Sequence, residues 1–403
     1  MGSINKTSDS LIRASIVILI AYGIFHATNF FYHFFSARLL GPAEYSIVAS
    51  LFSIIYMISI GSTTIQNVVT KFTAEFKAKN ENNKIIFLFR KGMKKLSIYA
   101  IILLVLYVLA SPLIANFLKI SLIPVLILSP YILLSILIPF NRGILQGLQK
   151  FKSLGINMII DGVVKLISAL ILIYLGLKAN GAIAAPVIGT AVAFAFTFPL
   201  LRFNNKISNV KISSKEIYKF TIVSFTALFL ITAIYNIDIF LVKHFFSAEI
   251  AGHYAALSLM GKIVFFGATA IGITMFPKIS ELTNKKRIEC VFKKSFLFTF
   301  LITVIVVIIY FLFPKLLIKF VFGQEYLDIA NLLGLFGIFM SLVSLSYICI
   351  LKKLAIGKKK FVWILLSAVI MEIILISLFH NSLSKVIHIL ILINSILLIL
   401  LLK

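Results

Sequence analysis

Charged residues are scarce in this sequence, and their scarcity excludes an ordinary soluble protein. Asp, Glu, Lys and Arg make up 13% of the 403 residues, whereas apolar residues make up 61%. Soluble domains have roughly 45–50% apolar and about 25% charged residues. Too few polar side chains are present to cover two or three soluble domains, so the solvent that fits this composition is lipid. The composition therefore predicts an integral membrane protein.

Several kinds of functional site are also missing. The two cysteines, Cys290 and Cys349, provide neither a disulfide framework nor a metal site. No Cys/His cluster, phosphate-binding loop or nucleotide-binding fold is recognisable, so we expect no metal, no cofactor and no enzymatic activity. The net charge of +26 would suit a nucleic-acid-binding protein, but the distribution of the basic residues has a different explanation.

Twelve apolar segments approach or exceed the roughly 20 residues that a helix needs to cross a bilayer. Helices are expected for them because every backbone group must be hydrogen-bonded within lipid. We predict an all-α integral membrane protein with spans at residues 11–35, 45–70, 96–118, 122–140, 156–177, 182–201, 221–242, 254–276, 296–313, 330–350, 362–378 and 387–402. Pro112, Pro124 and Pro130 crowd the third and fourth segments, so eleven or thirteen spans remain alternatives.

The basic residues are distributed unevenly between the two sides that alternating helices create. One side has 30 of the 39 Lys and Arg residues and the other has seven, while Lys165 and Lys262 fall inside spans. An excess of Lys and Arg marks the cytoplasmic side. We therefore predict a multi-pass protein of the plasma membrane with both termini in the cytoplasm. Attraction to anionic membrane lipids follows from the same charges, and no binding of nucleic acid is expected.

The two halves of the chain resemble each other. His33-Phe34-Phe35-Ser36-Ala37 recurs as His244-Phe245-Phe246-Ser247-Ala248, and the loop at residues 147–151 corresponds to residues 357–361. Both halves contain six predicted spans in the same orientation, which indicates a parallel repeat. We predict a six-helix N-terminal lobe at residues 1–210 and a six-helix C-terminal lobe at residues 211–403. Transporters built from repeats place the substrate between them, near the middle of the membrane.

Polar residues inside the spans are the candidate functional residues. His26 and Asn29 lie on one polar stripe of the first span, and Tyr254, Ser258 and Lys262 follow one another at steps of four in the eighth. Such stripes occur both in wet cavities and at hydrogen-bonded helix contacts. A charge in the bilayer costs at least about 2.5–3.5 kcal/mol, and Lys262 has no acidic residue near it in sequence. We interpret Lys262 as a cavity-lining residue.

Four more ionisable residues within or near spans, Asp161, Lys165, Asp238 and Glu372, are candidates for ion coupling or for structural pairs. Asp161 and Lys165 are four residues apart, so they share a helix face and are expected to pair. Asp238 lies towards the outer end of the seventh span, where a structural or anchoring role is expected. Glu372 lies within one residue of the repeat equivalent of Asp161, and the sequence identifies no partner for it.

Three segments resemble a known family. Residues 238–254, which include Ala251-Gly252-His253, and residues 142–151 are similar to the loops that follow the seventh helix and precede the fifth in polysaccharide flippases. The turn after their first helix is similar to Ser36-Ala37-Arg38-Leu39-Leu40-Gly41-Pro42-Ala43-Glu44-Tyr45. The chain thus resembles the polysaccharide-biosynthesis, O-antigen flippase-like branch of the multidrug/oligosaccharidyl-lipid/polysaccharide exporter superfamily. The resemblance implies two six-helix lobes around a central cavity and movement of lipid-linked oligosaccharides to the outer leaflet by alternating access.

A flippase of this kind needs a site for the phosphate of its cargo. Under this interpretation Lys262 binds that phosphate, Arg38 lies at the outer mouth of the cavity, and His26, Asn29, Tyr254 and Ser258 contribute polar contacts. Lipid-linked sugar and membrane lipids are the expected partners, and glycosyltransferases of the same pathway are candidate partners.

Two alternatives remain open. An ion-coupled multidrug exporter of the same superfamily would resemble its relatives in carrying an acidic residue in the first helix. This chain has none between Asp9 and Glu44, although Asp161 and Glu372 keep that alternative open. A membrane-embedded sugar polymerase or transferase would need sizeable external loops, and the longest predicted one covers only residues 314–327.

Overall fold

A computed structural model describes residues 2–201, 215–282 and 284–402, and all regular structure in those residues is helical, as predicted. The helices include a π-helical segment, Ile173–Leu177, and a 3-10 helix, Gln324–Leu332. The α-helices are α1 (Gly2–Ala78), α2 (Asn82–Leu118), α3 (Leu122–Gly147), α4 (Phe151–Leu172), α5 (Lys178–Leu200), α6 (Lys215–Ile234), α7 (Ile237–Phe245), α8 (Ala248–Glu281), α9 (Lys285–Leu312), α10 (Pro314–Val321), α11 (Leu333–Ala355), α12 (Phe361–Leu378) and α13 (Leu383–Leu402).

Helices of membrane-spanning length account for most of the chain. Nine stretches of the described residues are long and apolar enough to cross a membrane. Two of them, Ile20–Ala78 and Phe151–Leu200, have 59 and 50 residues, and each overlaps two of the predicted spans. The predicted span at residues 254–276 lies within α8, which is not one of the nine. The all-helical membrane fold is confirmed, while the count of twelve spans stays a prediction.

Two interruptions of the helices have local causes in the sequence. Gly41 adopts φ 71° and ψ 173° within α1, a conformation that a residue with a side chain rarely adopts. Pro42 follows it and has no N–H to continue the helical hydrogen bonds, so the turn predicted between the first two spans is a kink here. The predicted seventh span is also divided, into α6 and α7, because Asn236 leaves the helical conformation at φ −136° and ψ −23°.

The exposed faces of the helices are apolar, as lipid contact requires. On α2, Leu109 and Leu113 are 71% and 73% exposed. The buried side chains form a separate interior, in which Phe140 of α3 packs with Leu154 and Met158 of α4. An apolar exterior over an apolar interior is expected where the solvent is hydrocarbon.

By their internal contacts the residues group into two units. The first contains the chain up to Leu40 and resumes at Ile58, and the second contains Gly41–Met57 together with the chain from Lys215 onwards. The predicted lobe boundary at residue 210 falls outside the described residues, so the two predicted lobes stay a prediction. Within the second unit, the carbonyl group of Pro42 lies so close to Gly252 of α8 that a Cβ atom there would overlap it.

Candidate functional site

The first unit contains a buried polar cluster built on one face of α4. Asn157, Asp161 and Lys165 follow one another at steps of four residues, so their side chains lie one above the other along the helix. Helix α5 packs closely on this face because Gly189 has no side chain: a Cβ atom there would lie 2.7 Å from the carbonyl oxygen of Asp161. The chain therefore holds three polar side chains in a narrow, largely buried space.

Asp161 forms an ion pair with Arg142 of α3, with 2.8 Å between Arg142 Nη2 and Asp161 Oδ2. Arg142 Nε donates a second hydrogen bond to Asn157 Oδ1 at 2.7 Å, and Thr190 Oγ1 donates to the other carboxylate oxygen of Asp161 at 3.2 Å. The two charged side chains are 11% and 9% exposed. The expected pairing of Asp161 with Lys165 on its own helix is thus replaced by a tertiary ion pair.

Lys165 instead donates a hydrogen bond to Asn29 of α1. Its ammonium also lies 5.5 Å from the ring centroids of both Phe25 and Tyr32, within the range of a cation–π interaction. Lys165 is buried, Asn29 is half-buried, and His26, one turn earlier on α1, is exposed. We name this group, Asn29, Arg142, Asn157, Asp161, Lys165 and Thr190, the N-terminal cluster; it holds two cations and one carboxylate.

The second unit contains a different cluster at the break between α6 and α7. Asn236, at the break itself, accepts a hydrogen bond from Lys262 Nζ at 2.9 Å and donates one to the carbonyl oxygen of Thr232 at 2.8 Å. The Lys262 ammonium lies 4.4 Å from the ring centroid of Tyr56. Broken helices frequently line ion and substrate sites in transporters, because they free polar groups at membrane depth.

Two buried carboxylates complete this second cluster. Asp238 accepts a hydrogen bond from the Tyr254 hydroxyl at 2.6 Å, and Glu372 accepts one from Asn394 Nδ2 at 3.0 Å. Asp238 also interacts electrostatically with Lys262 and Glu372. Among the described residues, Asp238 Oδ1 and Glu372 Oε2 are buried with no hydrogen-bond partner. We name Asn236, Asp238, Tyr254, Lys262, Glu372 and Asn394 the C-terminal cluster; it holds two carboxylates and one cation.

The predicted site residues are thus divided between two environments. His26 and Asn29 belong with Lys165 in the first unit, whereas Lys262, Tyr254 and Asp238 belong together in the second. Ser258 is buried on α8, and Lys262 is itself only 5% exposed. Arg38 is exposed, with its guanidinium 4.7 Å from the ring centroid of Phe34. Asp238 is fully buried and accepts a hydrogen bond from Tyr254.

Five members of the clusters were missed in the sequence, namely Arg142, Asn157, Thr190, Asn236 and Asn394. Arg142 was assigned to a cytoplasmic loop, although the apolar residues Ile144 and Leu145 that follow it, both fully buried, could have indicated that its helix continues. Asn236 and Asn394 each interrupt an apolar run, but a single buried amide gives no signal that distinguishes it from a structural hydrogen bond. Asn394 proves to be the partner of Glu372 that the sequence did not identify.

Comparison with known proteins agrees with this architecture. The family model for polysaccharide biosynthesis proteins matches residues 35–331. A putative O-antigen transporter of Shigella flexneri is 25% identical over 343 residues, covering 81% of this chain and 80% of that protein. An uncharacterised membrane protein of Methanocaldococcus jannaschii is 27% identical over 289 residues, covering 68% of each.

Solved structures of transporters share the fold. An inward-facing multidrug resistance transporter of the MATE family superposes with a TM-score of 0.76 at 14% identity, covering 95% of this chain and 96% of that one. The lipid II flippase MurJ superposes with a TM-score of 0.72 at 15% identity, covering 96% and 87%. At such identities the likeness concerns the fold alone, so any function must be argued from the two clusters.

Proposed function

We propose, from the premise that this chain belongs to the polysaccharide biosynthesis protein family, that it is a flippase for lipid-linked sugars. The chain is a multi-pass membrane transporter of the multidrug/oligosaccharidyl-lipid/polysaccharide exporter superfamily. We propose that it moves lipid-linked oligosaccharide or polysaccharide precursors from the inner to the outer leaflet of the plasma membrane by alternating access. The observation that carries this proposal is the surplus cation in the N-terminal cluster.

The charge of this cluster suits an anionic cargo. A lipid-linked sugar has a phosphate or pyrophosphate group between its lipid and its sugar. Arg142 is already paired with Asp161 and hydrogen-bonded to Asn157, so Lys165 is a second cation beside a single carboxylate. An ammonium is a compact charge with three donors, and hydrogen bonds from it to phosphate oxygens are charge-assisted and strong. Lys165 donates one of its hydrogen bonds to Asn29.

The neighbours of Lys165 suit the rest of the cargo. Asn29 is half-buried and His26 is exposed on the same helix, so both present hydrogen-bonding groups on the less buried side of the cluster. Sugar hydroxyls both donate and accept hydrogen bonds, as amide and imidazole groups do. We propose that these two side chains contact the sugar next to the phosphate.

Lys262 remains a second proposed phosphate ligand, with Tyr254, Ser258 and Arg38 as polar contacts. Its position makes it the weaker of the two, because Lys262 shares its cluster with the carboxylates of Asp238 and Glu372. Asp238 offsets the charge of Lys262, as Asp161 does that of Lys165, but Glu372 adds a second negative charge to this cluster and would repel a phosphate. An anion should therefore prefer Lys165.

The C-terminal cluster suits a cation instead. Asp238 and Glu372 each have one buried oxygen without a hydrogen-bond partner among the described residues, and a proton or a metal cation would satisfy them. We propose ion coupling at this cluster. The same carboxylates are the observation that favours the alternative function, an ion-coupled exporter of cationic drugs.

Purified protein in phospholipid vesicles distinguishes these functions. The assay follows the loss of a fluorescent lipid-pyrophosphate-sugar from one leaflet, and a parallel assay follows uptake of a cationic dye. We expect Lys165→Gln to abolish lipid turnover, Lys165→Arg to retain part of it, and Lys262→Gln to retain more than Lys165→Gln. Equal amounts of folded protein, measured by size-exclusion chromatography, are the control.

Two results would contradict the proposal. Normal lipid turnover by a well-folded Lys165→Gln variant would show that Lys165 does not bind the phosphate. A greater loss of turnover in Lys262→Gln than in Lys165→Gln would show that Lys262 is the phosphate ligand. If the unaltered protein transports the dye and turns over no lipid, its function is that of a drug exporter and not of a flippase.

A further inference from the structure

The short helix α10, Pro314–Val321, has two different faces. One face is buried in the protein through Ile318 and Val321, which are 0% and 6% exposed. On the other face Leu316 and Phe320, four residues apart, are 65% and 72% exposed, and Phe313 just before the helix is 53% exposed. We name Phe313, Leu316 and Phe320 the α10 ridge. Three large, exposed apolar side chains on a short helix form an apolar surface of the kind that lies against lipid or another apolar surface.

The α10 ridge continues the lipid-facing surface of the preceding helix. On α9, Ile305 and Leu312 are 57% and 65% exposed, as expected for a membrane-spanning helix in contact with acyl chains. Only Phe313 separates α9 from α10. With eight residues α10 is about 12 Å long, so it cannot cross a hydrocarbon core of about 30 Å.

Polar residues follow α10 immediately. Gly323, at φ 102°, reverses the chain into the 3-10 helix, where Gln324, Glu325 and Asp328 are exposed. The change from the exposed Phe320 to the exposed carboxylate of Glu325 occurs within five residues. Such a change marks the boundary between acyl chains and water.

Two lysines border the ridge. Lys315 and Lys319 are four residues apart on α10, and both are exposed. A lysine beside apolar side chains can extend its ammonium towards the polar layer while its methylene groups remain in apolar surroundings. Phosphate groups of lipids are the anions present at that depth.

We propose that α10 lies in the headgroup layer of the membrane, as an interfacial helix that binds lipid. The α10 ridge lies among the upper acyl chains, and Lys315 and Lys319 bind the phosphates of neighbouring lipids. The opposite face holds the helix to the protein, so α10 is anchored on both sides. This surface is independent of the proposed cargo site, and under the predicted orientation it lies in the outer leaflet.

Spin labels on single cysteines measure this depth directly. The background is Cys290→Ser with Cys349→Ser, and the protein is reconstituted in vesicles of phosphatidylcholine with phosphatidylglycerol. The label is attached at Phe320→Cys, and Ile305→Cys and Asp328→Cys are the lipid and water controls. Collisions with oxygen, which dissolves in lipid, are compared with collisions with a water-soluble nickel chelate.

We expect the label at residue 320 to collide several-fold more with oxygen than with nickel, at a depth shallower than residue 305. The label at residue 328 should show the opposite preference. Nickel collisions at residue 320 as frequent as those at residue 328 would place α10 in water and overturn the proposal. A label at residue 320 that neither reagent reaches would also overturn it, because a protein surface would then cover the ridge.

The lysines are tested in the same system. In the unaltered background, adding phosphatidylglycerol to pure phosphatidylcholine vesicles should slow the motion of a label at residue 316, since anionic lipid binds beside it. Lys315→Gln with Lys319→Gln should abolish that response. A response that persists in the double variant would show that Lys315 and Lys319 do not bind the lipid phosphates.

Discussion

Asp161 is the residue on which the N-terminal cluster depends, because it accepts hydrogen bonds on both carboxylate oxygens. Arg142 supplies one of them as part of an ion pair, and Thr190 supplies the other. The carboxylate is also the only counter-charge among the members of this cluster. Breaking a buried ion pair by removing one partner usually costs about 3–5 kcal/mol, because the remaining charge stays buried without compensation.

We therefore predict that Asp161→Asn strongly destabilises the protein. The expected result is a markedly lower melting temperature of the detergent-purified protein, since Arg142 and Lys165 would be left as buried like charges. The double variant Arg142→Gln with Asp161→Asn should be more stable than the single variant, because both members of the pair are then neutral.

The control is an ion pair at the surface. Glu75 and Lys79 lie 2.9 Å apart with side chains 43% and 59% exposed. Water screens such a pair, so Glu75→Gln should leave the melting temperature unchanged. Equal melting temperatures for Asp161→Asn and Glu75→Gln would show that the buried ion pair contributes nothing to stability.

Which residues share a helix face could be predicted from the sequence, but the partners across helices could not. The step of four from Asp161 to Lys165 places both on one face, as observed. The choice of Arg142 over Lys165 depends on how α3 packs against α4, and no spacing within a single helix contains that information. Likewise, His26 and Asn29 were recognised from the sequence as polar residues within a span. That Asn29 accepts a hydrogen bond from Lys165 is evident only from the three-dimensional structure.

At the scale of helices, close packing depends on a few positions without side chains. The Pro42 carbonyl group, next to the kink of α1, occupies the space that a Cβ atom on Gly252 of α8 would need. Nearby, Lys243 donates a hydrogen bond to Ser46 at 2.7 Å, and His253 Nε2 is hydrogen-bonded to the Glu325 carbonyl oxygen at 2.8 Å. The contact of Pro42 with Gly252 and the hydrogen bond from Lys243 to Ser46 hold Gly41–Met57 within the second unit.

We predict that Gly252→Ala disrupts this packing. Its methyl group would meet backbone atoms, which cannot move aside as a flexible side chain can, and overpacking typically costs about 1–3 kcal/mol. The measurement is the melting temperature of the purified protein. Gly23→Ala is the matched control, since a Cβ atom at Gly23 meets nothing within 4 Å and alanine favours a helix more than glycine does. Equal melting temperatures of the two variants would contradict this prediction.

Helix ends were harder to predict than helix positions, for a physical reason. Apolar runs mark the part of a helix that contacts lipid, and a helix can continue into polar turns beyond it. The predicted span at residues 96–118 accordingly lies in α2, which begins at Asn82. The break at Asn236 was invisible for the opposite reason: the run at residues 221–242 stays apolar on both sides of it, although the backbone leaves the helix.

For the whole molecule, the uneven distribution of basic residues is the property that predicts orientation. The structure places Arg142 in α3, paired with Asp161 of α4, and the predicted bias of 30 to seven hardly changes if Arg142 is left out of the count. The two copies of the predicted repeat also differ in local structure. Ser247 is the N-cap of α8, whereas its counterpart Ser36 lies inside α1. Identical short sequences can therefore occupy different backbone positions in the two halves.

The predicted orientation can be tested on α9, because the helix separates a basic start from a less basic end. Its 28 residues extend about 42 Å at 1.5 Å per residue, which exceeds a hydrocarbon core of about 30 Å. Lys286 and Asp328 should therefore lie on opposite sides of the membrane. Both residues are exposed, so a cysteine at either position should react if the reagent reaches it.

We predict that a membrane-impermeant maleimide labels Asp328→Cys in intact cells and labels Lys286→Cys only after lysis. The background must carry Cys290→Ser, because the native Cys290 is exposed one turn from Lys286 and would report the same side. Lysed cells are the control for reactivity, since both cysteines should then label equally. Labelling of Lys286→Cys in intact cells would reverse the orientation. Labelling at both positions would show that α9 does not cross the membrane, and the predicted count of spans would then be wrong.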